Sequence, residues 1–228
     1  MILGRSKMAD FIKEDVEDGV EIVAVAADRF KTNEISISCL VPLREKTAAD
    51  NAIVPMLLAR NAREYPSILS LNRRLASLYG AQIEPVVAKT GEIQQLKIGM
   101  TCLDDRFSLD GGKIALQCVK LLLSLVFDPM LDENGDFLQE NVEREKRVLA
   151  EKIESEENEK RTYALHRAEE IMFEGEPYAV NRYGTRASVS EITAHSAAQA
   201  WRNMLKSAKL VLTVVGNADI NEIKRLFS

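Results

Sequence analysis

Hydrophobic and polar positions follow two periods along this chain, and the switches between them divide it into strands and helices. Gly19-Val-Glu-Ile-Val-Ala-Val-Ala26 is a short β-branched, apolar run of the kind that forms a buried strand. Glu34 to Val41 alternates, which places Ile35 and Ile37 on one face of a second strand ended by Pro42. Ala48 to Ala62 takes a helical period with Ile53, Met56 and Leu57 on its apolar side and Pro55 as its one misfit. Pro66 breaks the chain and Ser67 offers a cap. Leu71, Leu75 and Leu78 then mark a second helix that Gly80 stops. Gln82 to Lys89 and Ile93 to Cys102 are strand-like, and Thr90-Gly91-Glu92 between them suits a hairpin turn.

Helical patterns dominate the second half. Leu109 to Phe127 predicts an amphipathic helix closed by Asp128-Pro129. Phe137 to Phe173 is one long, charged helical pattern with a bend or break near Glu157 to Arg161. Glu174 to Thr185 predicts a loop, Ser188 to Leu205 a helix, and Lys209 to Val215 a last strand. Gly216 to Asp219 then turns into a terminal helix that has barely begun at Ser228. This order predicts an α+β domain, a mixed and largely antiparallel sheet covered by helices. No internal repeat or flexible linker interrupts it, so residues 1–228 are read as a single domain.

Composition narrows the function classes. With 228 residues, 46% of them hydrophobic, the chain can build a substantial core. Its net charge of −5 argues against nucleic acid, which needs a positive surface. The longest apolar stretch, Val119 to Phe127, falls far short of the roughly 20 residues that span a bilayer. Met1 to Gly19 alternates charges and lacks the apolar region of an export signal. A cytoplasmic protein with neither membrane nor nucleic acid as partner is the expectation. Cys39, Cys102 and Cys118 are odd in number and widely spaced, which predicts buried free thiols rather than a disulfide framework.

Candidate chemistry is sparse. Neither a phosphate-cradling glycine loop nor a Gly-x-Ser-x-Gly elbow occurs. The two histidines are His166, one turn from Glu169 and Glu170, and His195. His166 with Glu169 has half of a zinc site's spacing, but on so charged a helix an ordinary ion-pairing surface is the simpler reading. Glu151 lies two residues from both Leu149 and Ile153, so it faces away from the apolar side made by Leu138, Val142, Leu149 and Ile153.

Taken in order, several segments resemble the N-terminal domain of the pitrilysin/insulinase superfamily of zinc peptidases, which includes the mitochondrial processing peptidases. They are Asp18-Gly19-Val20, Glu64-Tyr65-Pro66-Ser67, Leu78-Tyr79-Gly80-Ala81, Asp128-Pro129, Glu143-Arg144 through Val148-Leu149-Ala150-Glu151, Gly175-Glu176-Pro177 with Tyr183-Gly184-Thr185, and Val214-Val215-Gly216-Asn217. Active members carry His-x-x-Glu-His on the helix before the Tyr-Pro segment, two zinc ligands and a general base. Counted back from Tyr65-Pro66, those three positions are Ala52, Pro55 and Met56, and no His or Glu occurs between Asn51 and Arg63. The resemblance matches Glu151 to the downstream third ligand, and Asn61-Ala62 to a Gly-Thr pair, with Asn61 in a left-handed helix end.

The resemblance therefore implies the N-terminal half of a two-half, catalytically silent homologue with no catalytic residue, no metal and no other cofactor. It implies a zinc-motif-bearing homologous subunit as partner in a heterodimer, and an extended peptide held at a sheet edge. Two alternatives stand beside this reading. One is an active zinc-dependent endopeptidase with a rearranged site built from Glu151, His166, Glu169 or Glu170, and the other is a stand-alone scaffold or binding domain.

Overall fold

The computed structural model describes residues 11–226. Residues 1–10, over which the reading of an absent leader runs, and the last two residues of the predicted terminal helix lie outside the described residues. One sheet of six strands has the order β1-β2-β6-β3-β5-β4. Its members are β1 (Phe11–Glu17), β2 (Val20–Ala26), β3 (Thr32–Pro42), β4 (Gln82–Thr90), β5 (Ile93–Leu103) and β6 (Lys209–Gly216). Only β2 and β6 run parallel, and every other pair is antiparallel. The predicted mixed, largely antiparallel α+β architecture is the one that forms.

Register explains why one face of the sheet is dry. Ile35, Ile37 and Cys39 of β3 stand opposite Met100, Ile98 and Leu96 of β5, while Ile35 and Ile37 also stand opposite Val214 and Leu212 of β6. Since side chains alternate between faces, these residues form one apolar layer. All of them are buried. Helices α1 (Glu45–Leu58), α3 (Ile114–Phe127) and α7 (Ala194–Ser207) cover that face. Edge strand β1 escaped the sequence reading because only Ile12 and Val16 of its seven residues are even half-buried and the rest are charged or exposed. Buried Glu21 on β2 takes Lys209 of β6 at 2.8 Å and Lys13 of β1 at 3.1 Å, tying three strands together.

The predicted helix at Ala48 to Ala62 begins at Glu45 and ends at Leu58, and it is not amphipathic. From Ala48 to Leu58 every residue but Asp50 is buried. A helix apolar on all sides belongs inside a protein, and α1 is enclosed by the sheet, by α7, by α4 (Gln139–Asn158) and by α6 (Arg186–Ser190). Helix α2 (Ile68–Ser77) starts as expected on Ser67, whose hydroxyl accepts the Ser70 N–H in a capping box. It ends through left-handed Tyr79 and Gly80, at φ 58° and 75°.

Two boundaries move for local reasons, and the expected break in the charged pattern falls in place. Helix α3 begins at Ile114 rather than Leu109, because Asp110-Gly111-Gly112 forms a turn in which Gly111 takes φ 70° and leaves Leu109 93% exposed. The long charged pattern breaks at Glu159, whose carboxylate caps α5 (Lys160–Met172) by accepting the Arg161 and Thr162 N–H groups. The predicted helix from Ser188 to Leu205 is two helices, α6 and α7, with Thr185 and Thr193 as separate caps in boxes with Ser188 and Ser196. A short α8 (Ile220–Lys224) follows β6. Among the described residues no helix is long and apolar enough to cross a membrane.

Candidate functional site

Helix α1 carries the three positions that the resemblance assigns to zinc chemistry. Ala52 is fully buried, Met56 is 5% exposed and Pro55 is buried between them. A methyl, a pyrrolidine ring and a thioether offer zinc no imidazole, thiolate or carboxylate donor. They also sit in close packing rather than at the wall of a cavity. Pro55 has no N–H to give the Asn51 carbonyl one turn back, so α1 lacks one internal hydrogen bond there. The residues present do not fit a zinc ion.

A buried amide network lies beside them. Asn51 Nδ2 donates to Gln94 Oε1 at 3.1 Å, and Gln94 Nε2 donates to the Ala48 carbonyl at 2.9 Å and the Arg182 carbonyl at 2.6 Å. Gln94 is on the dry face of β5, in step with Leu96, Ile98 and Met100, and is fully buried. Its amide fixes the 177–185 loop against α1. Gly184 completes the contact: at φ 74°, a Cβ there would fall 2.9 Å from the Ala49 methyl.

The second buried polar pair joins the end of α1 to α4. Arg60 Nε donates to Glu145 Oε1 at 2.5 Å, with the Glu145 side chain 6% and the Arg60 side chain 25% exposed. Glu145 occupies the buried stripe of α4 with Val142, Leu149 and Ile153. The sequence reading missed both clusters, although each was signalled by a polar residue in phase with an apolar stripe.

The remaining candidates do not assemble as a donor set, although His166, Glu169 and Glu170 line one small pocket with Lys89, Asn181 and Arg182. Glu151 is exposed and makes no hydrogen bond or ion pair among the described residues. His166 Nδ1 stands 3.7 Å from Glu156, which also pairs with Arg182. Glu169 takes Lys89 of β4 at 2.6 Å, and Glu170 pairs with Arg167. His195 is far along the chain on α7, mostly exposed and 3.1 Å from Asp136. Among the described residues no three His, Cys, Asp or Glu side chains meet as a metal site. Asn61 is not left-handed, since Tyr79 is the one described non-glycine residue with positive φ, and Asn61 instead donates to the Pro66 carbonyl at 3.3 Å.

All three cysteines are buried and free, as expected. Burial pushes the Cys39 thiol up to about 12, and a hydrogen bond with Cys118, followed by burial, raises Cys102. Thiols held protonated in this way are poor nucleophiles, which argues against Cys–His chemistry.

Two features of the surface around α1 are open. Among the described residues the outer edge of β4 has no strand beside it, and Lys89 near its end is held by Glu169 and by the Tyr178 carbonyl at 3.0 Å. An open cleft of about 760 Å³ runs between the start of α1, α4, α5 and the 174–188 segment. Its lining includes Glu45, Glu157, Glu170, Glu174 and Glu176 against Arg44 and Arg186, an acidic excess.

No family model matches the chain. It is 27% identical over 206 residues to "Probable inactive metalloprotease YmfF" of Bacillus subtilis (strain 168), a match that covers 90% of this chain and 48% of that protein. A conserved protein of Enterococcus faecalis V583 has a crystal structure that superimposes with TM-score 0.87 at 27% identity, over 95% of this chain and 51% of that one. The crystal structure of a peptidase M16 inactive domain from Pseudomonas fluorescens shares the fold, with TM-score 0.68 and 14% identity over 96% of this chain and 49% of its own. The chain thus spans about half the length of the proteins it matches. In its ordered motifs the chain is similar to about half of a probable inactive metalloprotease, it shares the fold of a peptidase M16 inactive domain, and its sequence carries no His-x-x-Glu-His motif.

Proposed function

We propose that this chain is a catalytically silent peptidase homologue that holds an extended peptide at a sheet edge while a zinc-motif-bearing homologue supplies the hydrolysis. The observation that carries the reading is α1. Ala52, Pro55 and Met56 are packed into the core, where neither a metal nor an activated water has a donor to hold it. The names "inactive metalloprotease" and "inactive domain" among the similar proteins support the same conclusion.

The grip resides on β4. An edge strand presents unpaired N–H and C=O groups that an added strand can use. Pro85 interrupts the β4 donors, as is tolerated at an edge, and leaves Val86 to Thr90 as the longer run beside α1. The neighbouring cleft's acidic excess favours basic segments in the bound peptide. A rearranged catalytic site has no support in the geometry, because Glu151, His166, Glu169 and Glu170 face different partners or solvent.

The test is co-expression with a zinc-motif-bearing homologue from the same organism, followed by assays on unfolded peptides. The two proteins are expected to co-purify, with cleavage appearing only in the pair and abolished by chelation. Metal-dependent cleavage by this chain alone would refute the proposal, as would failure of the two to co-purify.

A further inference from the structure

Helix α5 is built inside out. Its inward, half-buried side consists of Thr162, His166, Glu169, Glu170 and Phe173, whereas Ala164, Leu165, Ala168, Ile171 and Met172 are exposed. The spacing of the exposed set, with steps of one, three, three and one, is a continuous apolar stripe along one helix face. Leu165, Ile171 and Met172 are 57%, 67% and 73% exposed. A surface helix ordinarily turns such a stripe inward. Here the helix cannot roll to do so, because Glu169 is held by Lys89 of β4 and His166 lies against Glu156 of α4. An apolar face fixed outward by buried-side ion pairs is the mark of a surface that another body covers.

We infer that the α5 stripe is the docking surface for a second domain of similar size on the same polypeptide. The occupant follows from length. The two 27% identical relatives each hold about as much chain again outside the matched part, since this chain accounts for 48% and 51% of them. A linked domain is present at high effective concentration, so a stripe of five small and medium side chains suffices where two free proteins would need a larger contact. The inference is independent of the silent-peptidase reading, because it concerns assembly of the chain and not hydrolysis.

Thiol labelling tests it. Leu165→Cys and Ile171→Cys are introduced singly, against a silent background provided by the buried Cys39, Cys102 and Cys118. Each variant is made as the 228 residues and as the same residues continued through the sequence that follows Ser228 in the gene. The short form is expected to react as a free thiol, and the long form to react about tenfold or more slowly, as a covered site does. Equal rates would overturn the inference, and so would a gene that stops at Ser228. Protection of the short form that grows with its own concentration would assign the stripe to a second copy. Protection that appears only with the co-expressed homologue would assign it to that partner. Either result would overturn the inference while leaving the silent-peptidase reading intact.

Discussion

Ala52→His is expected to destabilise the fold by about 3–5 kcal/mol and to gain nothing from zinc. The imidazole enters a position with no exposed surface, so the core must move to admit it, at about 1–3 kcal/mol. Its ring nitrogens then lie unpaired among apolar neighbours, which adds about 1–3 kcal/mol more. Zinc does not repay this, because the residues one turn on are Pro55 and Met56 and a single imidazole makes no site. A domain of this size is held by roughly 5–15 kcal/mol, so the variant forfeits a large part of its stability. Urea unfolding with and without zinc measures it. A loss under about 1 kcal/mol, or a midpoint that rises with zinc, would show that position 52 faces a cavity and not the core.

Arg60→Ala is expected to cost about 3–5 kcal/mol, because it strands the Glu145 carboxylate, whose side chain is only 6% exposed. The paired replacement Arg60→Met with Glu145→Leu is expected to recover most of that loss, since apolar side chains of similar volume avoid desolvating two charges. Urea unfolding of the two single variants and the double one supplies the cycle. A single-variant loss below about 1 kcal/mol would mean that the pair is solvated and behaves as a surface salt bridge. A double variant no better than Arg60→Ala would mean that the cost lies in packing around α1 and not in the charge.

Much of the fold could be read from the sequence, because one face of its sheet is patterned by a largely apolar layer. Ile35 and Ile37, the hairpin at Gly91 and the Ser67 cap are local signals, and they emerge where expected. What stayed hidden depended on tertiary neighbours. Strand β1 is an edge whose side chains are nearly all exposed, so it shows charge rather than alternation. Helix α1 shows a polar Asn51 and an awkward Pro55, yet both are buried because elements on every side enclose them. The split between α6 and α7 could have been found from Thr185 and Thr193, each followed three residues later by serine.

The same division applies to the candidate site. That Ala52, Pro55 and Met56 stand where the resemblance expects the zinc motif is a matter of residue identity, which the sequence states outright. The polar residues that occupy the region instead, Asn51, Gln94, Arg60 and Glu145, become visible only when their stripe positions are compared with their burial. Helix α5 carries the opposite signal. An apolar stripe on a surface helix ordinarily turns inward, and here the stripe faces solvent while the opposite, charged side pairs with Lys89 and Glu156.

The central claim is that this unit keeps a peptidase fold without peptidase metal chemistry. The most direct measurement is the metal content of the purified chain after dialysis against zinc and then against metal-free buffer. No stoichiometric zinc is expected to remain, because Ala52, Pro55 and Met56 offer no donor and no three His, Cys, Asp or Glu side chains meet among the described residues. One tightly held zinc per chain would contradict the account.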